Sequence, residues 1–550
     1  MQMSYYLEIC YYFIMETAYI DKRQNPLSPF NLIHKVWHFI PGYTKIQFCS
    51  AFIIGLLIHF YIMVNGFINH DSVLITEYYN WAHALSGRWF SIVPDMISSS
   101  FNLIWITSLL AIFYVSISTC LIGACLEIRR TPLVLLLSGI VVSFPSMAGW
   151  LSYRISSDIA IFSVLLACLA IFLAKYYKFG FLFGVIPLLF SLASYQAYFG
   201  FFAGTMALIL MRDLICNQKI KTVLMSALKY LSTLFLGLIA YVITLNLPFY
   251  GGLTSYKDID TFGGFTLQNL PERFMFSYTN FFDVFIRNSL KLHQDYMQDG
   301  RIYQFLFVIA AIAALILLLC IILNKKIYQD KIRLVLLLIS IALLPPTCNA
   351  ISILSPNNLY ILMQYSLVLF FAFLLILVDI SVNTSETCPS LSRSNVVSLS
   401  SWFLMILCLL ITINYAIYAN IFYSKLELVN KQGQLFSTAL VTKIQSEDFY
   451  TVDKPIVLFG EAPQSFAYGY FENIYAIPLG DIPNMYSYPA YLLIYYDLRN
   501  PISKNFLPPE LSENEASVEA INNMPTYPTY GSIAEVDGFI VVKFSTEASQ

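Results

Sequence analysis

The chain has 550 residues, of which 58% are hydrophobic and 12% are charged. Charged residues make up about a quarter of a typical soluble domain, so this composition excludes a soluble globular protein and indicates a multispanning membrane protein. The net charge of -2 and the lack of a basic tail or basic helix give no sign of a nucleic-acid partner, and none is expected.

The first 45 residues differ from the apolar segments that follow. Their apolar runs are interrupted by Glu8, Glu16 and Asp21, and Lys22 and Arg23 come next. A secretory signal would have an uninterrupted apolar core. We therefore predict that residues 1–45 form a cytoplasmic or membrane-surface segment.

Apolar stretches near the roughly 20 residues needed to cross a bilayer predict about eleven spans. They lie at about 47–68, 101–126, 133–150, 158–174, 179–194, 196–211, 227–248, 303–324, 332–347, 359–380 and 399–421. The predicted fold class is mainly α: a polytopic helical bundle over residues 46–421, followed by a small α/β domain over residues 422–550.

Basic residues predict the orientation of this bundle. Every second connection is basic: Lys22, Arg23, Lys35, Lys45, then Arg129, Arg130, Lys175, Lys178, Arg212, Lys219, Lys221, Lys325, Lys326, Lys331, Arg333 and Arg393. By the positive-inside rule this set faces the cytoplasm. The outer face then carries the loops 69–100, 151–157 and 249–302, together with everything after about residue 422.

Two further regions on that face have recognisable patterns. The loop 249–302 has glycine-based turns, and its second half is aromatic and amphipathic, which predicts a helix on the bilayer surface. Beyond residue 422 the sequence predicts a helix at 432–445 and strands at 455–460, 491–496 and 538–543.

Cysteine and histidine usage gives no metal or disulfide framework. The ten cysteines contain no CxxC pair, and none follows Cys408. His70, His83 and His293 lack a metal-binding spacing. No metal ligand is assigned, although a divalent ion is left open as a cofactor.

The first outer loop carries the strongest candidates for chemistry. Asp71 directly follows the first span, where it can act as a general base or simply cap the amphipathic run 73–85. Arg88, in a Gly-Arg-Trp sequence, can bind the phosphate of a lipid substrate or contact ordinary phospholipid headgroups. Trp89 is a candidate for sugar contact or interfacial anchoring.

The next outer turns supply further polar groups. Arg154 and Asp158 flank the start of the fourth predicted span. Charged residues at the edge of a membrane span are candidates for a functional role. Tyr195 and Gln196, in a Ser-Tyr-Gln turn, can bind sugar hydroxyls or satisfy the helix turn. Cations that could bind lipid phosphate or only face solvent lie on the long loop at Lys257 and Arg273.

The acid after the first span, the Gly-Arg-Trp and the Ser-Tyr-Gln together resemble the phage-type serotype-converting glucosyltransferases, the type II glucosyl transferase family of the GT-C superfamily. The resemblance implies Asp71 as the first-loop acid, Arg88 as the Gly-Arg-Trp arginine, and Tyr195 with Gln196 as the Ser-Tyr-Gln pair. That family has two adjacent acids where this chain has His70-Asp71, so Asp158 or Glu77 is left to supply the second carboxylate.

The resemblance also implies an activity. Such enzymes move glucose from a polyprenyl-phosphate carrier to a surface polysaccharide or lipid-linked glycan, as in O-antigen of lipopolysaccharide, at the periplasmic face of the bacterial inner membrane. We expect Asp71 and Asp158 to be catalytic, Arg88, Arg154, Arg273 and Lys257 to bind the lipid phosphate, and Tyr195, Gln196, Glu77 and Trp89 to contact the sugar. A polysaccharide polymerase and a lipid-linked-sugar transporter are the alternatives.

Overall fold

A computed structural model describes residues 28–69, 72, 85–98, 103–247, 253, 264, 266, 268–287, 301–356, 359–387, 395–463, 488–500, 502–503 and 507–545. Within these residues the protein is a helical bundle followed by a small mixed sheet, which confirms the predicted fold class. Asp71, Glu77 and Lys257 lie outside the described residues.

The bundle is built from helices of very unequal length. They are α1 (Pro29–Phe39), α2 (Gly42–Asn65), α3 (Ile92–Ile97), α4 (Ile104–Cys125), α5 (Thr131–Ser143), α6 (Pro145–Ser152), α7 (Ser157–Tyr176), α8 (Gly180–Phe183), α9 (Val185–Ser194), α10 (Phe199–Ile215), α11 (Ile220–Leu245), α12 (Leu270–Phe282), α13 (Arg301–Asn324), α14 (Lys331–Cys348), α15 (Ala350–Leu354), α16 (Leu369–Thr387) and α17 (Asn395–Gln445). Short 3-10 turns occupy Trp89–Ser91, Gln196–Tyr198, Ile327–Gln329 and Ile361–Val368, and a π-helical turn follows α12 at Asp283–Arg287.

Nine helices in the described part of the chain are long and apolar enough to cross a membrane, and a bent pair, α5 with α6, makes ten. The remaining predicted span, 179–194, corresponds to the short helices α8 and α9, which together are apolar but below that length. Hydropathy therefore located the apolar helices well.

The bend between α5 and α6 is 41° and lies at Phe144 and Pro145. Proline has no N–H, so the carbonyl of Val141, four residues earlier, loses its helical partner. The hydroxyl of Tyr365 donates a hydrogen bond to that carbonyl at 2.7 Å. A side chain from a distant span therefore satisfies the broken helix, as the apolar surroundings require.

The next carbonyl, that of Val142, is satisfied from the other side. His59 Nε2 lies 2.9 Å from this oxygen, so Nε2 carries the proton. Its Nδ1 then accepts from the hydroxyl of Tyr423 at 2.7 Å. This fully buried chain ties α2, α5 and α17 together.

The two ends of the bundle are defined by contacts between connections. At the upper end, where α2, α6, α9, α11 and α14 finish, Ser72 contacts Arg154, and Trp89 contacts Thr244. At the lower end Arg333 donates to the carbonyl of Gln218. The candidate residues that the structure describes gather at the upper end.

Charged groups tie the lower end together. Burial raises the pKa of Glu127, but ion pairs with Lys175 at 3.0 Å and Arg212 at 2.8 Å outweigh that effect and hold the pKa below its usual value. Arg130 pairs with Asp379 at 3.5 Å. Arg130, Lys175 and Arg212, which come from three of the basic connections, thus lie at one end of the bundle.

The long helix α17 connects the bundle to the C-terminal sheet. Its 51 residues span roughly 75 Å at 1.5 Å per residue, more than twice the thickness of a hydrocarbon core. The amide of Asn430 both accepts from the N–H of Ile68 at 3.0 Å and donates to its carbonyl at 2.9 Å. The chain leaving the first span is thereby fixed to α17.

The C-terminal sheet has the order β2-β1-β4-β3. Its elements are β1 (Ile456–Phe459), α18 (Tyr488–Tyr496), β2 (Ile502–Ser503), α19 (Pro509–Ser512), α20 (Glu515–Asn523), β3 (Ile533–Val536) and β4 (Phe539–Lys543). Strand β1 pairs in parallel with β2 and β4, whereas β3 and β4 form an antiparallel hairpin. Asp537 and Gly538, both at positive φ, form the two-residue turn that such hairpins favour.

The strand predicted at 491–496 is wrong, because these residues belong to helix α18. The aromatic and aliphatic run resembles a strand, but Pro489 near the helix start favours a first helical turn. The buried side chains Tyr488, Tyr491 and Leu492 follow helical spacing. The predicted strands at 455–460 and 538–543 and the helix at 432–445 are confirmed.

Removing the Tyr365 hydroxyl tests the account of the bend. We expect Tyr365→Phe to lower the free energy of unfolding by about 1–3 kcal/mol, since the Val141 carbonyl would lose its partner in an apolar interior. Denaturant unfolding in detergent micelles measures this difference. The control is Tyr177→Phe, at an exposed ring, and equal stability of the two variants would contradict the account.

Candidate functional site

The Gly-Arg-Trp segment and the Ser-Tyr-Gln turn meet at the upper end of the bundle. Arg88 Nε donates to Gln196 Oε1 at 3.3 Å. The Arg88 guanidinium carbon also lies 4.6 Å from the centre of the Tyr195 ring, in a cation–π contact. Two motifs more than 100 residues apart thus form one group, which we call the arginine cluster.

The amide of Gln196 holds this cluster in place. Its nitrogen donates to the carbonyl of Ser86 at 2.7 Å and to the hydroxyl of Tyr241 at 2.9 Å. The Tyr241 hydroxyl in turn donates to the carbonyl of Gly87 at 3.1 Å. The loop before Arg88 is therefore bound through its backbone to α11 and to the turn at Gln196.

Gly87 is required by this arrangement for two reasons. Its φ is +79°, which is unfavourable for residues with a side chain. A Cβ atom there would also lie 2.5 Å from the Tyr241 hydroxyl and 2.9 Å from Gln196 Nε2. The glycine of Gly-Arg-Trp thus permits the close approach that positions Arg88.

Aromatic side chains anchor the other side of the segment. Trp89 Nε1 donates to Thr244 Oγ1 at 3.2 Å. The ring of Phe90 stacks on that of Phe190 with centroids 4.0 Å apart. Trp89, predicted to contact the sugar, therefore uses its N–H within the protein, while its ring is half-buried.

Beneath Tyr195 lies a buried layer of aromatic rings. Trp150 meets the Tyr195 ring edge-on at 5.0 Å. Trp150 Nε1 and the Tyr198 hydroxyl both donate to the carbonyl of Leu362, at 3.2 and 2.7 Å. The cluster therefore rests on a rigid base formed by α6 and two 3-10 turns.

Asp158 lies in the first turn of α7 and is 1% exposed. Neither of its carboxylate oxygens makes a well-aligned hydrogen bond among the described residues, although the backbone N–H groups of Asp158 and Ile159 lie close to them. The hydroxyl of Ser98 lies beside it but donates to the carbonyls of Pro94 and Asp95. Asp95 is close enough for its charge to act on Asp158.

Arg154 stands in the turn that precedes α7. Its backbone N–H donates to the hydroxyl of Ser72 at 3.1 Å, and its side chain is half-buried. Ser72 also donates to the carbonyl of Ser152 at 3.5 Å. The residue that follows Asp71 in the chain therefore contacts the turn that carries Arg154.

Arg273, a candidate for phosphate binding, contacts backbone carbonyls. It projects from α12, is 7% exposed, and donates from Nη1 to the carbonyls of Ile353 and Leu354 at 2.9 and 3.2 Å. These carbonyls close the short helix α15. The arginine joins α12 to that helix end.

A polar seam continues along α12. Asn280 Oδ1 accepts from Asn349 Nδ2 at 2.8 Å and from Gln364 Nε2 at 2.5 Å. Burial raises the pKa of Tyr278, whose hydroxyl donates to the carbonyl of Ala342. The helix predicted in the second half of the long loop is thus docked on the breaks in two other spans.

Sequence reasoning missed several residues of this region. Tyr241 and Thr244 lie inside an apolar span, and Trp150 ends another, so nothing in their local sequence marks them as partners of the Gly-Arg-Trp segment. Asp95 sits in an amphipathic stretch and reads as a solvated acid. Within the part of the chain that the structure describes, no group of three or more His, Cys, Asp or Glu residues could hold a metal ion.

The fold and the arginine cluster define a multispanning membrane protein with an ordered polar site at one end of its helical bundle. A sequence model of the family described as Glucosyl transferase GtrII matches residues 60–378, more than half of the chain. The protein belongs to this family of glucosyl transferases, and the resemblance to type II glucosyl transferases is confirmed. Comparison with curated proteins and with solved structures finds no match.

Replacing Gly87 tests how the cluster is held. We expect Gly87→Ala to abolish most glucosyl transfer, because the added methyl clashes with Tyr241 and Gln196 and the αL backbone costs about 1–2 kcal/mol. Glucosyl transfer is measured at equal concentrations of folded protein for each variant. Gly42→Ala is the control, since its Cβ would meet nothing within 4 Å, and full activity of Gly87→Ala would refute this role.

Proposed function

We propose that the protein is a GT-C type enzyme that transfers a glucosyl group from a polyprenyl-phosphate carrier to a surface polysaccharide or lipid-linked glycan, such as O-antigen of lipopolysaccharide. Family membership supports glucosyl transfer. The observation that favours a phosphate-linked donor is the arginine cluster, which holds a guanidinium at the end of a membrane bundle.

The chemistry of Arg88 fits the departing group. Its Nε and one face are held by Gln196 and Tyr195. A planar guanidinium held in this way can bind phosphate oxygens through its terminal nitrogens. As the bond between sugar and phosphate breaks, negative charge develops on the phosphate, and a preorganised cation stabilises that charge most in the transition state.

Asp71 is the proposed general base. The acceptor hydroxyl attacks the anomeric carbon, its proton passes to the Asp71 carboxylate, and the electron pair of the broken bond leaves with the carrier phosphate. The contact of the neighbouring Ser72 with the turn at Arg154 supports a base at the upper end of the bundle. Asp158 is proposed as the second acid of the site, with Arg154, Arg273 and Lys257 as further cations and Glu77 and Trp89 as sugar contacts.

The upper end is proposed to face the periplasm and the N-terminus the cytoplasm of a bacterial inner membrane. Arg130, Lys175 and Arg212 all form ion pairs at the lower end. By the positive-inside rule, an end rich in basic residues faces the cytoplasm. The prenyl tail would stay among lipids and apolar helices, so that its phosphate reaches Arg88 from the membrane.

Neutralising the base tests the reaction directly. With short-chain prenyl-phosphate glucose and acceptor, we expect Asp71→Asn to reduce the transfer rate at least about 100-fold, within the range for loss of a general base. Donor binding should stay intact. Asp448→Asn, at an exposed acid outside the site, is the control, and an Asp71→Asn enzyme of normal rate would reject Asp71 as the base.

A change from Arg88 to lysine tests the phosphate contact. We expect Arg88→Lys to keep the positive charge but lose the planar fork and the stack on Tyr195, lowering kcat/KM by about 10- to 100-fold, as for one charged hydrogen bond. Arg499→Lys, at an exposed surface pair, is the matched control. Unchanged kinetics in Arg88→Lys would count against a phosphate role.

A further inference from the structure

A pair of buried acids lies beside the arginine cluster. The 3-10 turn after Arg88 leads directly into α3, which carries Asp95. Asp95 is 7% exposed and acts electrostatically on Asp158 at the start of α7. Segments separated by about 60 residues therefore bring two buried carboxylates within electrostatic range of each other.

The state of Asp158 is unusual for a buried acid. Both of its oxygens, and the hydroxyl of the adjacent Ser157, are buried without a well-aligned hydrogen bond among the described residues. A buried carboxylate without a well-aligned donor is unfavourable, and a second acid nearby makes it more so. A buried group of this kind needs an explanation, and a ligand that supplies better-aligned donors is one.

The chemistry of the surroundings indicates which donors those are. Three side chains that act on Asp158 are the carboxylate of Asp95, the hydroxyl of Ser98 and the phenol of Tyr114. All are oxygen groups, and carboxylates accept from several donors at once. Neighbouring hydroxyl groups of a sugar ring match this set.

We propose that Asp95 and Asp158 bind hydroxyl groups of the glucosyl unit and so select the sugar. The proposal rests on the proposed function for the identity of the donor. Arg88 and Asp95 are seven residues apart on one ordered segment, which corresponds to about 10 Å along a helix. One segment thus presents a cation to the phosphate and an acid to the sugar.

Binding measurements test this assignment without requiring turnover. Affinities of the full-length protein in lipid nanodiscs are measured for short-chain prenyl-phosphate glucose and for the same prenyl phosphate without sugar. In the unmodified protein the glucose compound should bind about ten-fold or more tightly, as for one charged hydrogen bond. Asp95→Asn and Asp158→Asn should bring this ratio close to one while leaving the affinity for the bare prenyl phosphate unchanged.

Controls separate recognition from folding. Asp448→Asn should retain the full ratio, and thermal unfolding confirms that each variant is folded. Asp95→Glu, which keeps the carboxylate, should retain part of the preference. A panel of monodeoxy-glucose analogues should lose affinity only at the hydroxyls bound by the pair, and only in proteins that carry both acids.

The outcomes separate this inference from the proposed function. A sugar preference that survives in both Asn variants, or no preference in the unmodified protein, overturns the assignment of the acid pair. Failure of the unmodified protein to transfer glucose, with the binding pattern intact, would instead overturn the proposed reaction and leave the sugar site standing.

Discussion

The side-chain amide of Gln196 joins three parts of the protein that are far apart in the sequence. Its oxygen accepts from Arg88, and its nitrogen donates to the backbone at Ser86 and to Tyr241. An amide can hold a neighbouring cation without neutralising it, whereas a carboxylate at this position would pair with the arginine. The positive charge of Arg88 is therefore not neutralised by Gln196. The contact with the Tyr195 ring orients the guanidinium group.

Breaks in the helices supply the polar groups at this end of the bundle. Each break leaves backbone carbonyls that must be satisfied away from water, and Tyr365, His59 and Arg273 donate to such carbonyls. In the same region, 3-10 turns carry Trp89 and Gln196 to the surface of the bundle. Irregular backbone thus lies at the end where the proposed chemistry takes place, and ion pairs join the connections at the lower end.

The length of the apolar segments was sufficient to predict the long helices, because a helix that spans a bilayer needs a long uninterrupted run of apolar residues. The family was recognisable from Gly-Arg-Trp and Ser-Tyr-Gln, yet no local pattern showed that these motifs touch, since Tyr241 is an ordinary residue of an apolar span. Asp95 was missed because its burial arises from the packing of α3 on α7, which no local sequence pattern shows. A strand was wrongly predicted at 491–496 because aromatic and aliphatic residues are common both in strands and in buried helices. The role of Asp71 stays a prediction.

The central claim is that one polar site at the upper end binds a sugar linked to a lipid phosphate. A cryo-EM structure of the protein in nanodiscs with prenyl-phosphate glucose tests it most directly. The account predicts phosphate oxygens about 2.7–2.9 Å from the terminal nitrogens of Arg88, with the glucosyl ring between Asp71 and the pair Asp95 and Asp158. A phosphate bound at the lower end, or a sugar remote from all three acids, would contradict it.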